Sequence, residues 1–166
     1  MNHDLRGLAV RLLDEHRIMT IATNRQDGWP QATVVGYAND GLTIYCFVSR
    51  LSQKFANIKR DKRVSIAIAG DVSDPLQIKG LSLAAKAVPV EQSSEFDCAC
   101  DVFLKRYPEY ASWPRPDPKI APMLRITPEI ISILDYSKGF GHSDLISVSP
   151  GDLSATQSRN NWFAPA

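Results

Sequence analysis

Residues 42–69, LTIYCFVSRLSQKFANIKRDKRVSIAIA, decide how the rest of the chain is read. Leu42, Ile44, Cys46 and Val48 alternate with Thr43, Tyr45, Phe47 and Ser49, which is the period of a half-buried strand rich in β-branched and aromatic side chains. The run stops at Arg50-Leu51-Ser52. Ser52 stands at the N-cap position of a short helix whose apolar face is Phe55, Ala56 and Ile58, followed by the solvated run Lys59-Arg60-Asp61-Lys62-Arg63. Val64, Ile66 and Ile68 then resume the period of a strand.

The turn between strand and helix carries the chemistry. A helix N-terminus presents unpaired backbone N–H groups and the positive end of the dipole, a combination that suits a phosphate. Ser52 offers a hydroxyl, Lys54 a full charge within the first turn, and Arg50 a second cation with a planar fork. The same residues also make an ordinary N-cap beside surface cations, and spacing alone leaves both readings open.

With 166 residues the chain is expected to form one domain with a real core. The net charge is +1 with both signs interspersed, so nothing points to nucleic acid or an anionic membrane. No apolar run approaches the roughly 18 residues of a membrane span, and no secretory pattern opens the sequence. The cytoplasm is the expected location. Cys46, Cys98 and Cys100 are odd in number, and no histidine lies at ligand spacing from a cysteine pair. Reduced thiols are expected, and no metal site.

Working outward, Leu5, Leu8, Ala9, Leu12 and Leu13 give residues 2–16 one helical face, with Asn2 as a candidate cap and His16 closing the last turn. Ile18 to Thr23 and Gln31 to Ala38 read as partner strands around an Asp27-Gly28 turn. Gly36, inside the second, marks a bulge or a place where a ligand or another backbone comes close. Residues 76–90 read as one long strand whose phase changes at Gly80, which predicts a bulge or bend there. Ser93 or Ser94 is expected to cap a helix with Phe96, Ala99, Cys100, Phe103 and Tyr107 on one face, read as core or subunit contact. Residues 108–122 hold too many prolines for a regular element. Met123–Ile126 and Glu129–Tyr136 read as two strands parted by Thr127-Pro128. A glycine-hinged turn with Lys138 and His142 follows, and residues 147–166 read as a tail with Trp162-Phe163 as a docking point. Six or seven strands, mostly joined by hairpins, with peripheral helices predict a mainly β, antiparallel barrel.

The segments QATVVGYANDGLTIYCFVSRLSQKFANIKRDKRVSIAIA and PLQIKGLSLAAKAV, in this order, resemble the pyridoxamine 5′-phosphate oxidase-like FMN-binding split-barrel family. The likeness covers roughly residues 5–136 and is sharpest from Ser49 to Lys54. It implies an antiparallel Greek-key split β-barrel over residues 1–146, with 147–166 as a C-terminal tail. It further implies FMN, with Ser52 and Lys54 on its phosphate and Arg50 or Gln53 as further donors. Thr33, Val34, Val35 and Gly36 would lie along the flavin ring. Val48 and Ser49 would flank the ring or ribityl chain, and Gln77 would meet the ring's polar edge. The resemblance also implies a homodimer with the cofactor at the interface and a flavin-dependent oxidation or reduction of a small molecule.

Two departures stand out. Gln31 replaces the arginine that opens the Val-rich strand in the oxidase proper. Lys138 and His142 match only loosely the segment that holds its vitamin substrate, and both points argue against oxidation of that vitamin, while leaving these two residues as candidates for contacting some other substrate near the flavin, against the alternative of a plain surface turn. Other readings of the same resemblance are a deazaflavin-dependent reductase, a flavin- or haem-binding homodimer without turnover, and a structural homodimer with a vestigial anion pocket.

Overall fold

Among the described residues eight strands form one antiparallel sheet in the order β2 (Pro30–Gly36), β1 (Ile18–Asn24), β5 (Arg63–Ala69), β6 (Lys79–Pro89), β7 (Met123–Asp135), β4 (Thr43–Phe47) and β3 (Ala38–Asp40), with β8 (Ser143–Ser147) added to β7. The computed structural model describes residues 2–149 and 152–153, side chains from residue 5 onward. The elements are α1 (Asn2–Glu15), β1 (Ile18–Asn24), β2 (Pro30–Gly36), β3 (Ala38–Asp40), β4 (Thr43–Phe47), α2 (Gln53–Arg60), β5 (Arg63–Ala69), β6 (Lys79–Pro89), α3 (Ser93–Arg106), β7 (Met123–Asp135) and β8 (Ser143–Ser147). Short 3-10 turns sit at Pro75–Gln77, Pro108–Tyr110 and Tyr136–Lys138. The expected antiparallel split barrel is the observed fold.

Alternation places the core. Met19 and Ile21 of β1, Ile44 and Cys46 of β4, Val64, Ile66 and Ile68 of β5, and Leu81 and Leu83 of β6 all point inward and are buried. Ala9, Leu12 and Leu13 of α1 and Phe55 and Ile58 of α2 pack onto the same core. A second apolar cluster of Val90, Phe96, Ala99, Cys100 and Met123 lies under α3. The three cysteines are free thiols.

The strand expected over Gln31 to Ala38 is two strands in different parts of the sheet. β2 pairs with β1 and β3 pairs with β4, and the chain crosses between them at Tyr37. Tyr37 is fully buried, donates its hydroxyl proton to the Leu13 carbonyl at 2.8 Å, and bonds through its backbone N–H to the Arg17 carbonyl. A crossing of one residue leaves no turn signature, which is why periodicity runs through it.

The predicted bulge lies on another strand. Gly80 sits in regular register between Ala69 and Leu134, and the shift falls at Ala84/Ala85, opposite Ile130 and Pro128. Glu129 of β7 is therefore the extra residue. Burial changes parity there, from Leu124 and Ile126 to Ile131 and Ile133. Pro128 has no N–H to give a ladder, so it is tolerated beside a bulge, and the two strands expected at 123–136 are one. That bent strand organises the split: Met123–Ile126 pairs with β4, and Ile130–Leu134 pairs with β8. β8 itself occupies a stretch whose sequence carries no clear strand period.

Two smaller expectations also change. Leu76 and Gln77 belong to the 3-10 turn that Asp74 caps, and β6 begins only at Lys79. Gln92, not Ser93 or Ser94, is the N-cap of α3 and contributes no side-chain bond. After β8 the chain returns to the barrel, where the Leu42 N–H bonds to the Leu153 carbonyl at 3.0 Å. Trp162-Phe163 lies outside the described residues.

Candidate functional site

The turn between β4 and α2 is built by Ser49 and Ser52. The Ser52 N–H and hydroxyl both donate to the Ser49 carbonyl, at 3.0 and 2.7 Å. The Ser52 oxygen accepts from Phe55 N–H at 3.2 Å, so Ser52 is the N-cap that the sequence predicts. Its proton is thus used inside the turn. The amides of Gln53 and Lys54, first in the helix, have no intrahelical acceptor and face out of its mouth.

Lys54 is half-buried, and burial lowers its pKa below the ordinary lysine value. The neighbouring charge it feels is Cys46, whose fully buried thiol is pushed up to about 12 by burial, with Lys54 pulling the other way. No carboxylate pairs with Lys54 among the described residues. A cation held partly out of water without a counter-ion is the arrangement an incoming anion relieves.

Arg50 is turned elsewhere. Its Nε donates to the Lys119 carbonyl at 2.6 Å and its Nη2 to the Pro118 carbonyl at 2.8 Å, so it clamps the proline-rich segment against the turn. Gln53 donates to Asn57 Oδ1 at 2.9 Å. Asn57, 2% exposed, passes the connection on to Thr23 Oγ1 at 3.0 Å and Gln31 Oε1 at 3.2 Å. Gln31 therefore ties β2 to α2, and this polar link between helix and sheet gave no sequence signal because Asn57 interrupts an otherwise ordinary helical face.

On β2, Thr33 and Val35 pair with Ile21 and Met19 and share their inward face, while Val34 points outward and is 65% exposed. The Thr33 hydroxyl is buried and has no hydrogen-bond partner. Gly36 makes room for a side chain: a Cβ there would lie 3.2 Å from the Tyr107 hydroxyl. Val48 is buried and Ser49 exposed.

Gln77, Lys138 and His142 form a separate group at the other end of the barrel. Phe47, beside the turn, pairs with Met123 at the start of β7, whereas Lys79, just after Gln77, pairs with Asp135 at its end. That separation is roughly 40 Å of extended strand at about 3.3 Å per residue. Lys138 Nζ and His142 Nε2 both lie on Asp144, at 3.2 and 3.3 Å. No hydrogen bond or ion pair joins the two groups within one subunit among the described residues.

The outward face of the sheet carries rows without charge. Val34, Thr20, Ala67, Ser82, Ser132 and Leu145 line up across six strands, and Ala32, Ala22, Ser65, Ala84, Ile130 and Ser147 form the adjacent row. A solvated sheet face is ordinarily studded with charges, so such a surface suits contact with another protein. No group of three or more metal-ligating side chains forms among the described residues. No helix among them is long and apolar enough to cross a membrane.

The sequence family described as Pyridoxamine 5′-phosphate oxidase matches residues 6–133, a stretch that takes in the turn, β2 and most of the barrel. The chain belongs to that family. Among curated proteins none matches significantly. Among solved structures, this pyridoxamine 5′-phosphate oxidase-like chain is similar to a haem-binding protein from Mycobacterium smegmatis, with 23% identity and a TM-score of 0.70, covering 84% of this chain and 57% of that one. It therefore spans little more than half of that protein. A Listeria innocua protein named after the oxidase shares 22% identity and a TM-score of 0.65, covering 78% of this chain and 98% of its own. The haem storage protein HutZ from Vibrio cholerae shares 21% identity and a TM-score of 0.58, covering 72% and 86%. These likenesses establish the split barrel, and its bearers differ in what they are named for.

Proposed function

We propose that this pyridoxamine 5′-phosphate oxidase-like protein is an FMN-binding homodimer that oxidises or reduces a small molecule. The observation that carries the reading is Lys54, a partly desolvated cation with no carboxylate partner among the described residues, at the open mouth of α2. The buried Thr33 hydroxyl without a partner is a second position that a ligand would satisfy. Lys54 and the Gln53 and Lys54 amides would hold the phosphate, with Ser52 shaping the turn. Val48, Ser49 and residues 33–36 of β2 would lie along the ring. FMN, when bound, supplies the hydride or electron transfer, and the chain supplies position and exclusion of water.

The same residues support the homodimer. Gln77, Lys138 and His142 make no hydrogen bond or ion pair with the turn of their own subunit among the described residues, and in a shared site they would come from the partner. The uncharged sheet face supplies a surface for that contact, and Leu51, 95% exposed, and Ile120, 70% exposed, add apolar tips beside the turn.

Reconstitution with FMN tests the reading. The expected result is saturable uptake of one flavin per subunit, with flavin absorbance and quenched flavin emission, in a species that sediments as a dimer. A Soret band after haem addition together with indifference to FMN would move the protein to the chemistry its haem-binding neighbours are named for. A colourless protein that ignores both ligands would remove the cofactor reading.

A further inference from the structure

We infer that the cavity between α3 and the proline-rich segment 108–121 is a second ligand site, separate from the anion-binding turn, for an uncharged molecule of one or two rings. The cavity measures about 280 Å³, with Phe47 in its wall and Cys100, Phe103, Tyr107, Tyr110 and Trp113 around it. Successive strand residues point to opposite faces, so Phe47 faces away from Cys46, and the cavity lies across β4 from the Cys46 side on which Lys54 acts.

The walls are held apart. Arg115 fixes the segment to α3 through Asp97 at 2.6 Å and Asp101 at 2.9 Å. Its far end is pinned by the Arg50 bonds to Pro118 and Lys119, by Arg50 N–H on the Ile120 carbonyl at 3.0 Å, and by Val48 N–H on the Pro122 carbonyl at 3.1 Å. Pro108, Pro114, Pro116 and Pro118 restrict the backbone between these anchors. A segment so tied does not collapse to fill the space, and an open apolar pocket is prepared for a ligand without further ordering.

The lining selects against charge. Arg115 is already neutralised by two carboxylates. The Tyr107 hydroxyl points away, sharing its one proton between the Arg17 and Tyr37 carbonyls and accepting from the Tyr37 N–H. Burial pushes the Cys100 thiol up, which keeps it neutral. A charged guest would lose its water and find no partner, whereas aromatic faces offer stacked and edge contacts to a ring. An apolar cavity of about 150 Å³ accommodates benzene, so this one has room for a two-ring molecule.

The probes are 2-naphthol, uncharged at neutral pH, and 2-naphthoate, followed by their own emission on titration with the full chain. The expected result is saturable one-to-one binding of 2-naphthol with 2-naphthoate at least tenfold weaker. Ala121→Phe, which fills the space, and Trp113→Ala, which removes an exposed wall, should each weaken 2-naphthol at least tenfold, and Lys54→Ala should leave it unchanged. Should Ala121→Phe fail to fold, Trp113→Ala decides. The proposal is overturned by absence of saturable 2-naphthol binding, by equal binding of 2-naphthoate, or by binding that survives in folded Trp113→Ala. Competition by FMN together with loss in Lys54→Ala would overturn it too, by assigning the probe to the flavin site. FMN uptake without naphthol binding would leave the flavin reading standing and end this one.

Discussion

Lys54 lies within electrostatic reach of the buried Cys46 thiol, and each shifts the other's proton affinity toward its charged form. Burial outweighs that help on both sides, leaving the lysine lowered and the thiol raised. Burial thus opposes ionisation of both groups, and an anion at the mouth of α2 would favour the ammonium form of Lys54.

Replacing Lys54 by Ala should weaken FMN by about 1.5–3 kcal/mol, the range for losing a charged hydrogen bond, or roughly tenfold to over a hundredfold in Kd. The pH dependence has a definite sign. The folded value lies below the 10.5 of a free lysine, so between the two the unfolded chain holds the proton that the folded chain has released. The lowered value is a stability penalty fully present below the folded pKa and relieved as pH rises towards the unfolded one, so stability without ligand increases with pH across that window. A bound phosphate favours the protonated form, so FMN affinity should fall with pH over the same window, and Lys54→Ala should flatten that slope. Fluorescence titration across the alkaline range checks both.

If the proposed homodimer closes over the uncharged sheet face, Ala67→Lys should break it. Ala67 sits between Thr20 and Ser82 in the middle of an uncharged row, where the proposed contact would bury a lysine without a partner. The substitution points outward, so the subunit should keep its melting temperature while sedimenting as a monomer. FMN affinity should drop with it if Gln77 reaches the flavin from across the interface. A dimer that persists in the Ala67→Lys variant would move the contact to another face.

The parts of the molecule that were legible in the sequence are those set by local period and local capping. Cys46, Ile66 and Leu83 alternate cleanly, and Ser52 caps α2 as its position demands. What escaped depends on which strands neighbour each other. The crossing at Tyr37 splits an unbroken strand pattern because β2 and β3 find different partners. The bulge belongs to Glu129 on β7, since apparent phase along β6 says nothing about the strand opposite. For the site, Lys54 and the turn were readable from Ser-x-Lys at a helix start. The diversion of Arg50 onto Pro118 and Lys119, and the remoteness of Gln77, need the tertiary path of the chain.

Asn57 ties α2 to the sheet, and Asn57→Leu should show how much that tie contributes. The leucine keeps approximate volume but leaves Thr23, itself 2% exposed, and Gln31 without their donor. Stranding buried polar groups costs about 1–3 kcal/mol. Urea denaturation should show a lower midpoint at unchanged slope. A midpoint equal to that of the parent would mean that water satisfies Thr23 and Gln31 in place of Asn57.

Gly80 and Gly36 separate two kinds of crowding, and their alanine variants should differ in a fixed order. A Cβ on Gly80 would fall inside the van der Waals envelope of the Ile68 carbonyl oxygen, a backbone atom on the neighbouring strand, with Ala69 pressing from the same side. The ladder must part to admit it, so Gly80→Ala should destabilise by about 2–3 kcal/mol and lower the melting temperature by about 5–10 °C. At Gly36 the nearest atom is the Tyr107 hydroxyl at 3.2 Å, the far end of a side chain that can give by a few tenths of an ångström. Gly36→Ala should lose only about 1 kcal/mol, partly returned by the lower entropy of the unfolded chain. Calorimetry of the two variants under one buffer decides the order. A larger loss at Gly36 would mean that the Tyr107 hydroxyl, fixed by its bonds to Arg17 and Tyr37, is the more rigid neighbour.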